Sequence, residues 1–399
     1  MSGDPRRHRH TGARPVTATL RPVARVLGAL LSFTVLVGFG YGWYEYRSLN
    51  NGVQKFHLSN LGQAPSGSSG KSTKGHEQNI LLVGLDSRDG LSAKERSLLR
   101  VGGGDSLATD TILVLHVPAD GSRATLISIP RDSFVDIPHY AKNKINAAYA
   151  DAYSDAANTG ASAKEAEAAG ANLLVETVSQ LTGLRIDHYV QVGFGGFYKI
   201  AQALKSIPVT LCAATDDTQA HNRATGQSGG SGFKMSAGHH NLTPVQALEF
   251  VRQRHNIKGG DLAREKRQQY FIAAAFNKIA SAGVLLDPGR LNNLIKAVTG
   301  AFYVDDNNFS LVGFANQLID LKANKITGYT VPTQGTRDVT VLGQTVNAII
   351  VDPAQVQRYV AARLDGTTPV RTSTPARPSS SSTGTSTAGA QPVAKGCIY

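Results

Sequence analysis

Residues 26–43 (VLGALLSFTVLVGFGYGW) form an unbroken apolar run without a charged side chain. Its length is about that of a helix crossing the hydrocarbon core of a bilayer. A chain carrying such a run cannot fold as one water-soluble body, because the run must leave water and the remainder must fold to one side of it. Arg6, Arg7, Arg9, Arg14, Arg21 and Arg25 precede it. By the positive-inside rule they hold the N-terminus in the cytoplasm and send the rest outside. Trp43, Tyr44 and Tyr46 stand at the exit, where interfacial aromatics collect. A cleaved signal peptide would occupy the same place, but the run is long for one and no small-x-small site follows it. The expectation is a basic cytoplasmic tail (1–25), an uncleaved transmembrane signal anchor (26–44) and an extracytoplasmic remainder at the cell membrane, close to membrane lipid.

That topology decides how the charge is read. The 41 Lys and Arg against 29 Asp and Glu leave a formal net charge of +12, a balance that in isolation would suit nucleic acid. Half of the excess is assignable to the six cytoplasmic arginines, and an exported domain meets anionic headgroups or wall polymers instead. No nucleic-acid partner is expected. The two cysteines, Cys212 and Cys397, are read as one disulfide tying the last residues back to the domain, in preference to two unrelated thiols that would oxidise outside the cell.

Residues 45–77, centred on Ser66-Gly-Ser-Ser-Gly-Lys-Ser-Thr, have the composition of a flexible linker. Residues 367–399 form a Ser/Thr/Pro-rich tail that cannot bury enough apolar surface to fold alone. Between them, 78–366 reads as one extracytoplasmic domain. Short branched apolar runs at 79–85, 111–116, 124–129 and 188–192 predict strands. Leu174, Val178 and Leu181 repeat at i, i+4 and i+7 before Gly183, predicting a helix and its stop. Thr243-Pro244-Val245-Gln246, Asp352-Pro353-Ala354-Gln355 and Asp287-Pro288 read as helix starts. This alternation predicts an α/β domain with helices on both faces of a central sheet, in which ligands favour strand ends.

The chemistry-bearing residues gather at such ends. Asp86 closes the first apolar run, followed by Ser87 and Arg88, while Asp110 opens the second, so both acids can meet at one edge and share a hard cation such as Mg²⁺. Isolated aspartates more often cap or turn the chain. Ser128-Ile129-Pro130-Arg131-Asp132 delivers an arginine at a third strand end, and Lys144-Ile145-Asn146-Ala147-Ala148-Tyr149 follows with an ammonium and an amide. Arg252 and Arg254, read as a strand end, place two guanidiniums on one face. Past Gly259 and Gly260, Asp261 caps a helix on which Asp261, Arg264 and Gln268 lie at i, i+3 and i+7, one stripe continued by the apolar Ile272, Phe276 and Ile279. Planar arginines match phosphate oxygens in pairs. The same spacing also describes a solvated basic helix face with a structural Asp–Arg pair, and the rest of the chain decides between them.

In this order, the segments 79–88, 109–111, 128–132, 144–149, 186–189, 246–254 and 261–269 resemble the LytR-CpsA-Psr family, over about residues 78–280. The insertion at 90–104, the Ala-rich composition and the Ser/Thr tail resemble actinobacterial forms. The resemblance implies a three-layer α-β-α domain with a central mixed sheet. It also implies a phosphotransferase that moves a glycopolymer from a polyprenyl-pyrophosphate carrier to peptidoglycan, onto the 6-hydroxyl of N-acetylmuramic acid, releasing polyprenyl phosphate. By the family pattern Asp86 and Asp110 hold Mg²⁺ (or Mn²⁺), and Arg131, Lys144, Arg252, Arg254, Arg264 and Gln268 grip the pyrophosphate. Arg88 stands in the same catalytic set, and Asp261 orients the arginines or acts as a base. Ala108 replaces an arginine common in relatives, so either Arg88 or Arg100 compensates or phosphate binding is weaker, and Lys205-Ser206-Ile207 replaces a usual Gly-Gly-Val. Leu173, Leu174, Val178, Ile272 and Phe276 are candidates for a lipid tunnel, though residues of this kind are more often ordinary core. Two further readings stay open: a hydrolase of the lipid pyrophosphate, and a non-catalytic envelope regulator that binds lipid-linked precursors.

Overall fold

The structure, a computed structural model, describes residues 54–62, 77–87, 91–99, 107–119, 123–218, 230–257, 260–281, 302–307, 326–364, 391–392 and 396–399. The apolar run 26–43, Arg88, Arg100 and Asp287-Pro288 lie outside the described residues. Among the described residues no helix is long and apolar enough to cross a membrane.

In chain order, β1 (Gln54–Phe56) and β2 (Gln78–Leu85) precede a short helix, α1 (Ala93–Leu98), and then β3 (Thr109–Val117) and β4 (Ala124–Ser128). Strands β5 (Ser133–Val135) and β6 (Asn143–Lys144) lead into α2 (Ala147–Asn158), α3 (Ala163–Thr182), β7 (His188–Gly193) and α4 (Phe194–Leu204). Next come β8 (Ile207–Leu211), β9 (Thr215–Asp216), β10 (Lys234–Met235) and β11 (Gly238–Leu242), then α5 (Pro244–Arg252) and α6 (Gly260–Ser281). The described elements close with β12 (Phe302–Asp305), β13 (Ile326–Thr330), β14 (Thr336–Val341), β15 (Gln344–Ile350), α7 (Pro353–Leu364) and β16 (Gln391–Pro392).

The central sheet runs β1-β12-β7-β2-β3-β4-β13-β16. Strand β7 is parallel to β2 and β13 is parallel to β4, whereas β3 is antiparallel to both of its neighbours, so the sheet is mixed. The two-residue period of a strand sends alternate side chains to opposite faces. Leu81, Val83, Ile112 and Val114 join Leu174 and Val178 of α3 and Val356 of α7 in one core. Ile80, Leu113 and Leu115 face the other way, where Ile272 of α6 packs. Because both faces are covered, the central strands read in sequence as continuous apolar runs. The same division means that the tunnel candidates do not share one surface: Leu173, Leu174 and Val178 lie on one side of the sheet and Ile272 on the other.

Helix α3 begins with a reciprocal capping box between Ser162 and Glu165 and stops at Gly183, whose φ of 74° is left-handed. Such a cap contributes about 1 kcal/mol. A Cβ on Gly170 would come within 2.7 Å of the Tyr149 carbonyl oxygen, so α2 and α3 cross at backbone contact. Beneath that crossing the Tyr149 hydroxyl donates to Glu167, Gln191 Nε2 donates to the same carboxylate at 2.9 Å, and the Tyr189 hydroxyl donates to Gln191 at 2.7 Å. Burial raises both tyrosine hydroxyls well above their ordinary range, so they stay neutral donors.

Two boundaries differ from the sequence expectation. Within the expected linker, β1 pairs with β12, and Phe56, Leu58 and Leu61 enter the main core. Three apolar residues among polar ones gain their burial from elements distant in the chain, β7, β12 and α3 among them. At the other end, Gln391 and Pro392 pair with β13, and Ile398 bridges Leu211 of β8. Cys212 and Cys397 form a disulfide with an S–S distance of 2.09 Å, across 185 residues. In the chain-entropy picture a loop that long is worth roughly 5 kcal/mol to the folded state. The end of the tail is therefore part of the fold. At the departure Lys205-Ser206-Ile207, Lys205 itself takes the left-handed turn with φ 64° before β8 begins at Ile207; glycine makes that turn without a Cβ clash.

Candidate active site

The site is built at one end of β2, β3 and β4. Strand pairing sets Leu85 opposite Thr109, so Asp86 and Asp110, the next residue after each, share that end of the sheet. The β3–β4 register pairs Leu113 with Ser128, and continued past the strand end it sets Arg131 opposite Asp110. Opposed residues of an antiparallel pair share a face, and Arg131 Nη1 donates to Asp110 Oδ1. Arg131 Nε also lies 3.4 Å from Asp132, which Lys144 on β6 reaches at 3.0 Å. The loop bearing Asp86 is pinned from behind, since the Ser87 carbonyl accepts from the Phe194 amide at 2.8 Å and Gly193 leaves room for the approach.

Helices α5 and α6 bring the remaining cations over this end. Arg254 Nη2 and Arg264 Nη2 each come to 4.0 Å from an Asp110 oxygen. Arg264 is 2% exposed, so its charge acts through little water. One turn along α6, Gln268 accepts from the Thr111 hydroxyl at 2.8 Å. The i, i+4 relation of Arg264 and Gln268 thus places both against the start of β3. Asp261 lies in the first turn of α6.

One expectation is overturned. Arg252 does not leave a strand; it is the last residue of α5, which starts at the Thr243–Gln246 capping box with Pro244 in the first turn. At the helix end Arg252 Nη1 donates to the Leu99 carbonyl at 3.1 Å and its guanidinium lies 5.3 Å over the Phe194 ring. Gln253 turns the chain extended, so Arg252 and Arg254 reach different partners. The apolar pair Phe250-Val251 that suggests a strand is one turn of an amphipathic helix, facing the core beside Leu248. Three contributors were not singled out from sequence: Asp132, Gln253 and Arg267. Asp132 was legible in its adjacency to Arg131; the other two depend on contacts between elements far apart in the chain.

Four cations (Arg131, Lys144, Arg254 and Arg264) contact two carboxylates (Asp110 and Asp132) in this network. Such an excess, partly withdrawn from water, favours a multiply charged anion. Asp110 keeps 27% of its side chain exposed. Among the described residues no three His, Cys, Asp or Glu side chains gather as a metal cage. One or two carboxylates hold Mg²⁺ when phosphate oxygens complete its shell, and Asp86 and Asp110 are the residues at this end of the sheet that could do so.

Residues 44–359 match the family model described as LytR_cpsA_psr family. The chain belongs to that family. The cell wall biosynthesis protein LcpA of Corynebacterium glutamicum is 35% identical over 85% of this chain and 65% of its own length. The polyisoprenyl-teichoic acid–peptidoglycan teichoic acid transferase TagU of Oceanobacillus iheyensis is 31% identical over 54% of this chain and 56% of its own length. The chain thus spans between about half and two thirds of the length of these curated relatives. The crystal structure of B. subtilis TagV has the same fold, with TM-score 0.52, 18% identity, and coverage of 74% of this chain and 98% of that one. This LytR_cpsA_psr member carries Ala108 immediately before β3, and Arg88 and Arg100 lie outside the described residues.

Proposed function

We propose that this protein is a phosphotransferase that moves a glycopolymer from a polyprenyl-pyrophosphate carrier to peptidoglycan, onto the 6-hydroxyl of N-acetylmuramic acid, and releases polyprenyl phosphate. The observation that carries the reading is Asp110 ringed by Arg131, Arg254 and Arg264 at the strand ends, in a chain whose relatives include a protein named as a teichoic acid transferase acting on peptidoglycan.

In such a transfer the acceptor oxygen forms a bond to the sugar-side phosphorus while the bond to the distal phosphate breaks, and the leaving group carries the electron pair away. The protein's part is to position the two reactants and to neutralise the charge that builds on the phosphate oxygens. Arg131, Arg254 and Arg264 grip the pyrophosphate, Lys144 supports Arg131 through Asp132, and Gln268 holds the start of β3 against α6. Arg252 joins the grip on exchanging the Leu99 carbonyl for a phosphate oxygen. Asp261 orients the arginines or takes the acceptor's proton. Asp86 and Asp110 would hold Mg²⁺, which when bound adds a Lewis acid to the phosphoryl oxygens. The apolar run 26–43 anchors the chain, cytoplasmic N-terminus first, with the domain at the outer surface where carrier lipid and wall meet.

The test uses the whole chain in detergent with a polyprenyl-pyrophosphate oligosaccharide and nascent peptidoglycan, with Mg²⁺ or with chelator. Mass spectrometry should find a phosphodiester-linked glycan and free polyprenyl phosphate, only with metal. Carrier cleavage without joining would replace the reading by a hydrolase, and tight carrier binding without turnover would replace it by a non-catalytic binder.

A further inference from the structure

Gln253, between Arg252 and Arg254, is fully buried. Its amide nitrogen donates to the Thr215 hydroxyl at 2.6 Å and to the His255 carbonyl at 2.8 Å, and its oxygen accepts from Arg267 Nη1 at 2.5 Å. Arg267 is 1% exposed, with its guanidinium 4.6 Å from the Phe250 ring centre and 5.7 Å from that of Phe233. Burial lowers its pKa to about 10 against the opposing pull of Asp217, so it remains charged at neutral pH. Its Nε donates to the main-chain oxygen of Tyr399 at 2.8 Å. Tyr399 is held there because Ile398 N donates to Thr210 O at 2.8 Å, Cys212 N donates to Ile398 O at 3.0 Å, and Cys397 is bonded to Cys212. An unbroken line of covalent and hydrogen bonds therefore runs from the disulfide through Tyr399, Arg267 and Gln253 to the turn that presents Arg254.

We propose that residues 396–399, closed onto the domain by the Cys212–Cys397 disulfide, position Arg254 for the pyrophosphate through Arg267 and Gln253, so that full activity requires the two cysteines to be oxidised. The inference rests on the reading of Arg254 as a pyrophosphate ligand. Arg267 is then a positioning residue that touches no substrate. Residues 396–399 supply the oxygen that fixes the orientation of its planar fork, and a lysine at 267 could serve Gln253 or Tyr399 but not both with that geometry.

The experiment takes the whole chain in detergent with Cys397→Ser, Arg267→Lys and the double variant. It reads the Kd for geranyl pyrophosphate, the kcat and KM of transfer, and the melting temperature. Each single variant should weaken binding or lower kcat by about tenfold, and the double should be no worse than the weaker single, because coupled groups on one line are not additive. Singles within twofold of the parent, or effects that multiply in the double, overturn the proposal. Should Arg267→Lys not fold, reversible reduction of the parent decides. Pyrophosphate binding should weaken on treatment with a phosphine reductant and recover on reoxidation, and affinity indifferent to reduction overturns the proposal. A parent that binds geranyl pyrophosphate without transferring glycan counts against the proposed function but leaves the positioning test readable, whereas a parent that binds neither substrate nor probe overturns both.

Discussion

Arg264 and Arg267 lie one turn apart on α6 and are equally withdrawn from solvent, yet they face different chemistry. Arg264 looks onto the partly exposed carboxylate of Asp110 and shares it with Arg131 and Arg254. Arg267 is enclosed by two aromatic rings, a glutamine oxygen and a main-chain oxygen. A buried guanidinium costs several kcal/mol in lost hydration wherever it sits. On the Arg267 side that cost is offset by the Gln253 and Tyr399 oxygens and by the pull of Asp217, and the charge stiffens the fold. On the Arg264 side it is offset by a carboxylate already crowded with cations, an arrangement that an arriving phosphate would improve. One helix thus carries a site face and a scaffold face, separated by three residues.

Substitutions that separate the two faces test the comparison. The largest effect belongs to the site itself: Asp110→Ala or Arg131→Ala should lower transfer by about 10³-fold with little change in melting temperature, and a variant retaining activity within tenfold would remove the pair from the site. Arg264→Lys keeps the charge and loses the planar fork, so kcat should fall by about 10²-fold while the melting curve stays near the parent's; a shifted melt with normal kcat would make it scaffold. Arg267→Lys should show the opposite balance, with about 2–3 kcal/mol lost in denaturant unfolding through broken hydrogen bonds and ring contacts and at most the tenfold loss of activity that acts through Gln253. The smallest effect concerns the brace behind the Arg254 turn, where the Asp216 carbonyl accepts from Asn256 at 2.8 Å. Bonds from Lys234 and Thr218 lower the Asp216 carboxyl to about 2. Its folded value being below its unfolded one, the stabilisation is complete above about pH 4 and is lost as pH falls toward 2. Asp216→Asn should flatten part of the acid limb of a stability–pH curve, and an unchanged limb would dismiss the brace.

Much of this was written locally. The β2, β3, β4 and β7 runs, the capping boxes at Ser162 and Thr243 and the stop at Gly183 each depend on residues within a turn or two of one another. The α6 stripe is equally local, and Arg264 and Gln268 do share a face. Arg252 misled because a short apolar pair suits a strand and a helix alike, and only the run back to Pro244 distinguishes them. The linker and tail misled for a different reason: composition averages over Phe56, Leu58, Leu61 and Ile398, whose burial depends on partners more than a hundred residues away.

The sequence by itself determined the family, the apolar run with its flanking arginines, and the identity of the charged groups at the strand ends, because each is a matter of residue type and short spacing. Tertiary structure alone decided that Arg131 lies opposite Asp110, that Arg252 and Arg254 part company, and that Arg267 is clasped by the last residues of the chain. Those outcomes depend on strand register and on contacts closing loops of many residues. Local propensity does not encode such closures; they form when burial and hydrogen bonding across the whole domain outweigh the entropy of bringing distant segments together.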